Sequence, residues 1–209
     1  MSSDALREPW TNLGAQRESA LFGMWLFLAT EALFFGAAFA GYAVYRFLYG
    51  ADFLAAGRET NIWFGSINTF VLVTSSFVMA AGVLAAREGL IRFARSCFPL
   101  TAALGILFLI LKGFEYHDDL GKHLMPGPGF ALPQTGAALF WTFYWVMTLI
   151  HAVHLTIGIG AVLRLQIASR NDPEWLRDSP SAEATALYWH FVDAIWVVLF
   201  PLLYLPGRS

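Results

Sequence analysis

Five long apolar segments dominate the 209-residue chain, and nothing else in it constrains the fold as strongly. Hydrocarbon offers backbone N–H and C=O groups no partners, so a segment that crosses it must satisfy its own hydrogen bonds as a helix. About 20 residues at about 1.5 Å each span the roughly 30 Å core of a bilayer. The segments that qualify run from Ala20 to Tyr45, Ile62 to Ala86, Phe93 to Phe114, Gly136 to Leu163 and Ala184 to Leu205. They predict an all-α membrane protein, a bundle of five transmembrane helices. Composition agrees: 57% of residues are hydrophobic, 16% aromatic and 13% charged, against roughly 25% charged in an average soluble domain.

The polar opening "MSSDALREPWTNLGAQRES" lacks the apolar core of a cleavable signal, so the first span is expected to stay in the mature protein. The chain then divides into a cytoplasmic N-terminal segment, 1–19, and a membrane domain, 20–209. An odd number of spans puts the termini on opposite sides, and basic residues favour the inner loops. With the N-terminus inside, eight arginines lie within: Arg7, Arg17, Arg87, Arg92, Arg95, Arg164, Arg170 and Arg177. Five basic residues lie outside: Arg46, Arg58, Lys112, Lys122 and Arg208. The predicted orientation is N-inside, C-outside. Arg95 and Lys112 lie close to the ends of the third span, where long cationic side chains can reach the interface. A net charge of -2, with Lys and Arg scattered, argues against a nucleic-acid partner. The single cysteine, Cys97, excludes an internal disulfide and any four-thiolate metal site.

Polar residues inside the spans are the candidate functional groups. Glu31, in "FLATEALFF", lies roughly 16 Å along the first span. His151 and His154, in "LIHAVHLTIG", and His190 and Asp193, in "YWHFVDAIW", reach comparable depths on the fourth and fifth. Residues three apart share a helix face, so each pair forms one polar stripe. The cost of burying ionisable groups in lipid predicts that these stripes face one another, with Glu31 near a histidine. Three uses are open to such a cluster. It can be a hydrogen-bonded network joining helices, a proton-handling or headgroup site centred on Glu31, or a haem or metal site using the histidines. The three-residue offset of His151 and His154 on one helix fits a bis-histidine haem poorly.

Outside these stripes, "YHDDLGKHLMPGPGFALPQT", Tyr116 to Thr135, reads as an irregular outer loop in which His117 and His123 lie among carboxylates. Gly36, Gly158 and Gly160 suit close helix approach. Trp63, Tyr116, Trp141 and Tyr204 fit interfacial aromatic belts.

Five blocks in order, "LFGMWLFLATEALFFGAAFAGY", "NTFVLVTSSFVM", "LGILFLILKGFEY", "FWTFYWVMTLIHAVHLTIG" and "YWHFVDAIWVVLFPLLYL", closely resemble subunit III of haem-copper terminal oxidases such as cytochrome c oxidase. The familiar form of that subunit has seven helices, and this chain resembles its last five. The resemblance implies a subunit of an enzyme that reduces O2 to water with electrons from cytochrome c and pumps protons across a bacterial inner membrane. Glu31 matches the family's membrane-buried, carbodiimide-sensitive carboxylate. His151 and His154 match its His-x-x-His stripe. Trp25, His190, Asp193 and Trp196 fall in its signature blocks. In the family the subunit binds no haem or copper, which sit on partner subunits. It packs directly on subunit I in a complex that includes subunit II, and it holds phospholipid in a cleft between helices. Five-helix relatives also accompany bacterial nitric oxide reductases, a second reading. An independent haem-binding membrane cytochrome is a third.

Overall fold

The computed structural model describes residues 13–171 and 180–208. Six helices account for nearly all of them: α1 Leu13–Leu48, α2 Gly50–Arg58, α3 Ile62–Arg87, α4 Ile91–Gly121, α5 Thr135–Asn171 and α6 Pro180–Tyr204. All but α2 are long and apolar enough to cross a membrane. The chain is therefore a multi-pass, all-helical protein whose five expected spans are present, and no strand occurs among the described residues. The expected N-terminal segment is divided by this limit: 1–12 lie outside the described residues, and Leu13 already belongs to α1.

Several helices outrun the apolar segments that announced them. Hydropathy marks only the portion that lipid requires, whereas backbone hydrogen bonding continues wherever propensity and caps allow. At 36 residues, α1 extends about 54 Å. α5 runs eight residues past Leu163 to Asn171, and α4 runs seven residues past Phe114 to Gly121, through the start of the expected loop. That loop is confined to 122–134.

Capping explains the two tight ends. After α3, Leu90 N–H donates to Ala85 C=O and Gly89 N–H to Ala86 C=O, closing a Schellman motif. Gly89 supplies the left-handed conformation it needs, at φ 78°. The same motif ends α4, with Leu124 N–H donating to Asp119 C=O and His123 N–H to Leu120 C=O. Here the left-handed residue is His123, at φ 56°. His123, a loop histidine in the sequence, thus has a backbone role.

The helix α2 had no counterpart among the expected elements, being only nine residues long. It lies against the start of α5, where Asp52 Oδ2 accepts from Gly136 N–H at 3.1 Å. That places a carboxylate at the positive end of α5. Any Cβ at Gly136 would lie 2.6 Å from Asp52, so this contact requires glycine. The chain end is fastened to the same corner: Arg58 Nε donates to Gly207 C=O at 2.9 Å. Arg208 donates to the carbonyls of Tyr204 and Thr60.

In the bundle, α3 and α4 form an antiparallel pair, α5 packs on α4 and α6, and α6 closes back on α3. A salt bridge from Arg87 to Glu183 joins the end of α3 to the start of α6. The peripheral helix is α1, which rests on α5 and α6. Only 11% of its most apolar stretch is buried, against 39–50% in the other four spans. Trp141, Trp189, Trp196, Tyr144 and Tyr204 are fully buried in the core. Trp141 and Tyr204 are therefore not belt residues, contrary to expectation. They lie near span ends in sequence but on bundle-facing sides of their helices, and only the packing reveals that. Trp63, 75% exposed, retains a position suited to the belt.

Candidate functional site

The five polar residues expected to form one cluster occupy three places. Glu31 and His154 meet across α1 and α5, His154 Nε2 lying 3.0 Å from Glu31 Oε2. The other ring nitrogen, Nδ1, lies 2.8 Å from the carbonyl of Ile150 and must donate to it. Nε2 then either donates as well, pairing an imidazolium with a carboxylate, or accepts from a protonated Glu31. In either arrangement one proton lies between the imidazole and the carboxylate. It is partly exposed, at 16% and 20% for the two side chains. The pair forms one wall of an open groove of about 440 Å³ shared with Phe34, Leu149, Ile150 and Val153.

His151 lies deeper, fully buried, and Nε2 donates to the carbonyl of Val192 at 3.2 Å. Its ring packs between Phe108 and Trp196, with centroids 5.5 and 5.1 Å away. Trp196 is itself held by an Nε1 hydrogen bond to Thr69 Oγ1 at 3.0 Å. On α6, His190 Nδ1 pairs with Ser76 Oγ of α3 at 2.7 Å. Asp193 is 4% exposed and lies beside Ser76, though neither carboxylate oxygen meets hydrogen-bond geometry with a described residue. No hydrogen bond links His190 or Asp193 to Glu31, His151 or His154 among the described residues. Equal depth brought these residues to one level, but helix rotation turned them toward different neighbours.

Trp25 projects from α1 at 60% exposure. With Leu28, Ala29, Ala32, Leu187, His190 and Phe191 it lines a second groove, also about 440 Å³. Thus α1 is flanked on both sides by apolar grooves, each containing a polar contact: Glu31 with His154 on one side, His190 on the other.

A further polar centre escaped the sequence reading. Lys112, Glu115 and Asp119, one, four and eight positions along one face of α4, are all nearly buried, at 2%, 1% and 2% exposure. Lys112 Nζ donates to Glu115 Oε2 at 3.0 Å, Tyr144 Oη at 2.9 Å and Tyr204 Oη at 2.6 Å. Four aromatic rings surround the ammonium, those of Tyr116, Tyr144, Trp196 and Tyr204, with centroids 4.5–5.6 Å away. Lys112 does not reach for the interface as its position near a span end suggested. It turns inward because a carboxylate and two hydroxyls there satisfy all three of its N–H donors, which lipid could not. The i, i+3, i+7 spacing of Lys112, Glu115 and Asp119 was the available signal, hidden because the segment from Tyr116 was read as a loop.

Comparison with known proteins identifies the family. A model of the family "Cytochrome c oxidase subunit III" matches residues 12–208. The chain belongs to the cytochrome c oxidase subunit III family. Cytochrome c oxidase subunit 3 of Synechocystis sp. is 35% identical over 187 residues, covering 88% of this chain and 75% of the relative. The protein of the same name from Thermostichus vulcanus is 34% identical over 189 residues, 90% of this chain and 88% of its own. A probable quinol oxidase subunit 3 of Staphylococcus haemolyticus is 29% identical, with 88% of each chain covered. These relatives favour the haem-copper oxidase reading, and none of them is named for nitric oxide reductase. Glu31 and Trp25 on α1, the histidines of α5 and the polar pair of α6 all fall within the matched region.

Proposed function

We propose that this chain is a non-redox subunit that packs directly on catalytic subunit I of an O2-reducing, proton-pumping oxidase, in a complex that includes subunit II, in a bacterial inner membrane. The observation that carries this reading is the family match across almost the whole chain, together with three relatives that are each named as the third subunit of an oxidase. The sparsely buried α1 supports it, since a helix with so little of its apolar surface covered by its own bundle has most of that surface available to lipid and a neighbouring subunit. Haem and copper belong to the partner subunits in this reading. The two grooves beside α1 suit phospholipid acyl chains, with the Glu31–His154 pair as the protonatable group.

The orientation is N-inside, C-outside. With Lys112 assigned to the bundle interior, the outer basic residues reduce to Arg46, Arg58, Lys122 and Arg208, which sharpens the bias toward the inner side. The test is a mild-detergent isolation of the tagged chain from its native membranes, followed by mass spectrometry and a reduced-minus-oxidised spectrum. Subunits I and II with oxidase haem bands are expected. Recovery of the chain with neither subunit, or a haem spectrum from the separated chain alone, would overturn the proposal.

A further inference from the structure

The buried centre on α4 does not have enough hydrogens for its contacts unless it binds one more proton. Six short polar contacts define it. Three are Lys112 Nζ to Glu115 Oε2, Tyr144 Oη and Tyr204 Oη. Three more run between oxygens: Tyr204 Oη to Glu115 Oε1 at 2.7 Å, Tyr144 Oη to Glu115 Oε1 at 2.9 Å and Tyr144 Oη to Asp119 Oδ2 at 2.8 Å. The ammonium of Lys112 supplies three hydrogens and the two tyrosines supply one each. Tyr144 therefore faces two carboxylate oxygens with one hydrogen. One of those contacts would set two lone pairs against each other in a buried site, a costly arrangement for buried polar atoms.

A single added proton removes the conflict. Placed on Asp119 Oδ2, it is donated to Tyr144 Oη, freeing the Tyr144 hydrogen for Glu115 Oε1. Every contact then has a donor. Asp119 is the carboxyl that takes the proton, because Glu115 already accepts from the ammonium and from both hydroxyls, whereas Asp119 meets Tyr144 alone among these groups. The charged and titratable groups around the centre are Lys112, Glu115 and Tyr116 of α4, Tyr144 of α5, Tyr204 of α6, and Lys122 just beyond α4.

We propose that Lys112, Glu115, Tyr144, Tyr204 and Asp119 form a proton-binding site, neutral overall, in which Asp119 holds the proton as a carboxylic acid at neutral pH. The site is distinct from the Glu31–His154 pair: it shares no residue with it, and its α5 member, Tyr144, lies ten residues before His154 and faces α4 and α6. It rests on hydrogen-bond geometry within this chain and does not depend on which partner the chain binds.

The test is infrared difference spectroscopy of the purified complex containing this chain, comparing the unaltered protein with Asp119→Asn. A carboxylic acid has a C=O stretch above the amide envelope, where a carboxylate has none. The expected result is loss of one such band in Asp119→Asn. Loss of carboxylate bands instead would overturn the proposal. Recovery provides a second readout. The amide of Asn donates to Tyr144 as the carboxylic acid does, so Asp119→Asn should assemble at the level of the unaltered chain. Glu115→Gln, which strips the counter-charge from Lys112, should assemble poorly. Failure of Asp119→Asn to assemble, or equal tolerance of both variants, would also overturn the assignment.

Discussion

Whether a polar side chain in a membrane helix acts or merely fits depends on what its partners leave free. The ring nitrogens of His154 are both engaged, yet the pair it forms with Glu31 retains a proton that either residue can hold. His151, by contrast, is locked as one tautomer by a carbonyl and caged by Phe108 and Trp196, which fits a packing role. Glu31→Gln keeps a donor toward His154 and removes the exchangeable proton. Assembly should be unchanged, while proton pumping per electron or the active lifetime of the complex falls. Unaltered values for both, measured on reconstituted complex, would show the pair to be structural. Glu31 was legible in the sequence as an isolated carboxylate in an apolar run. Its partner was not, because depth alone made both histidines of α5 equal candidates.

At the scale of the element, close approach of helices is decided by facing as much as by residue size. Gly36 and Gly160, small residues expected at contacts, have nothing within 4 Å of a built Cβ. Gly158 lies 3.2 Å from the Trp189 ring by the same measure, and Gly105 only 2.8 Å from it, with Ile159 at 3.0 Å. Gly105→Ala should therefore overpack the junction of α4, α5 and α6 and cost about 1–3 kcal/mol. Gly113→Ala, eight residues along the same helix and open to its surroundings, should be neutral or gain up to about 1 kcal/mol of helix propensity. Thermal melting of the detergent-solubilised complex compares the two. Equal melting points would contradict the packing of Trp189 against α4. The short α2 and the long tail of α4 follow the same logic from the other side. Both are held by caps and tertiary contacts rather than by an apolar run.

For the whole molecule, the interior is divided in two along the bundle. One level contains the α1 contacts, with Glu31, His154 and the grooves. The other contains the Lys112 centre beneath α2 and the C-terminal residues, which Arg58 and Arg208 fasten in place. The proposed orientation puts this second level at the outer side. A reporter active only outside the cytoplasm should work when fused after Ser209 and fail when fused in the α3–α4 turn around Gly89. The reverse pattern would invert the topology.

What the sequence determined by itself was the solvent, the number of spans and the family. These depend on properties that survive without coordinates: the length of an apolar run, the cost of an unpaired backbone in lipid, and blocks of residues in order. What only the tertiary structure decided was pairing. Helix rotation separated Glu31 and His154 from His190 and Asp193, and it turned Trp141 and Tyr204 inward from the span ends. The same rotation brought Tyr144 and Tyr204, from two other helices, onto the Lys112, Glu115 and Asp119 face of α4. A one-dimensional pattern fixes which residues of one helix share a face. Which face meets which neighbour is settled by the packing of all the helices together.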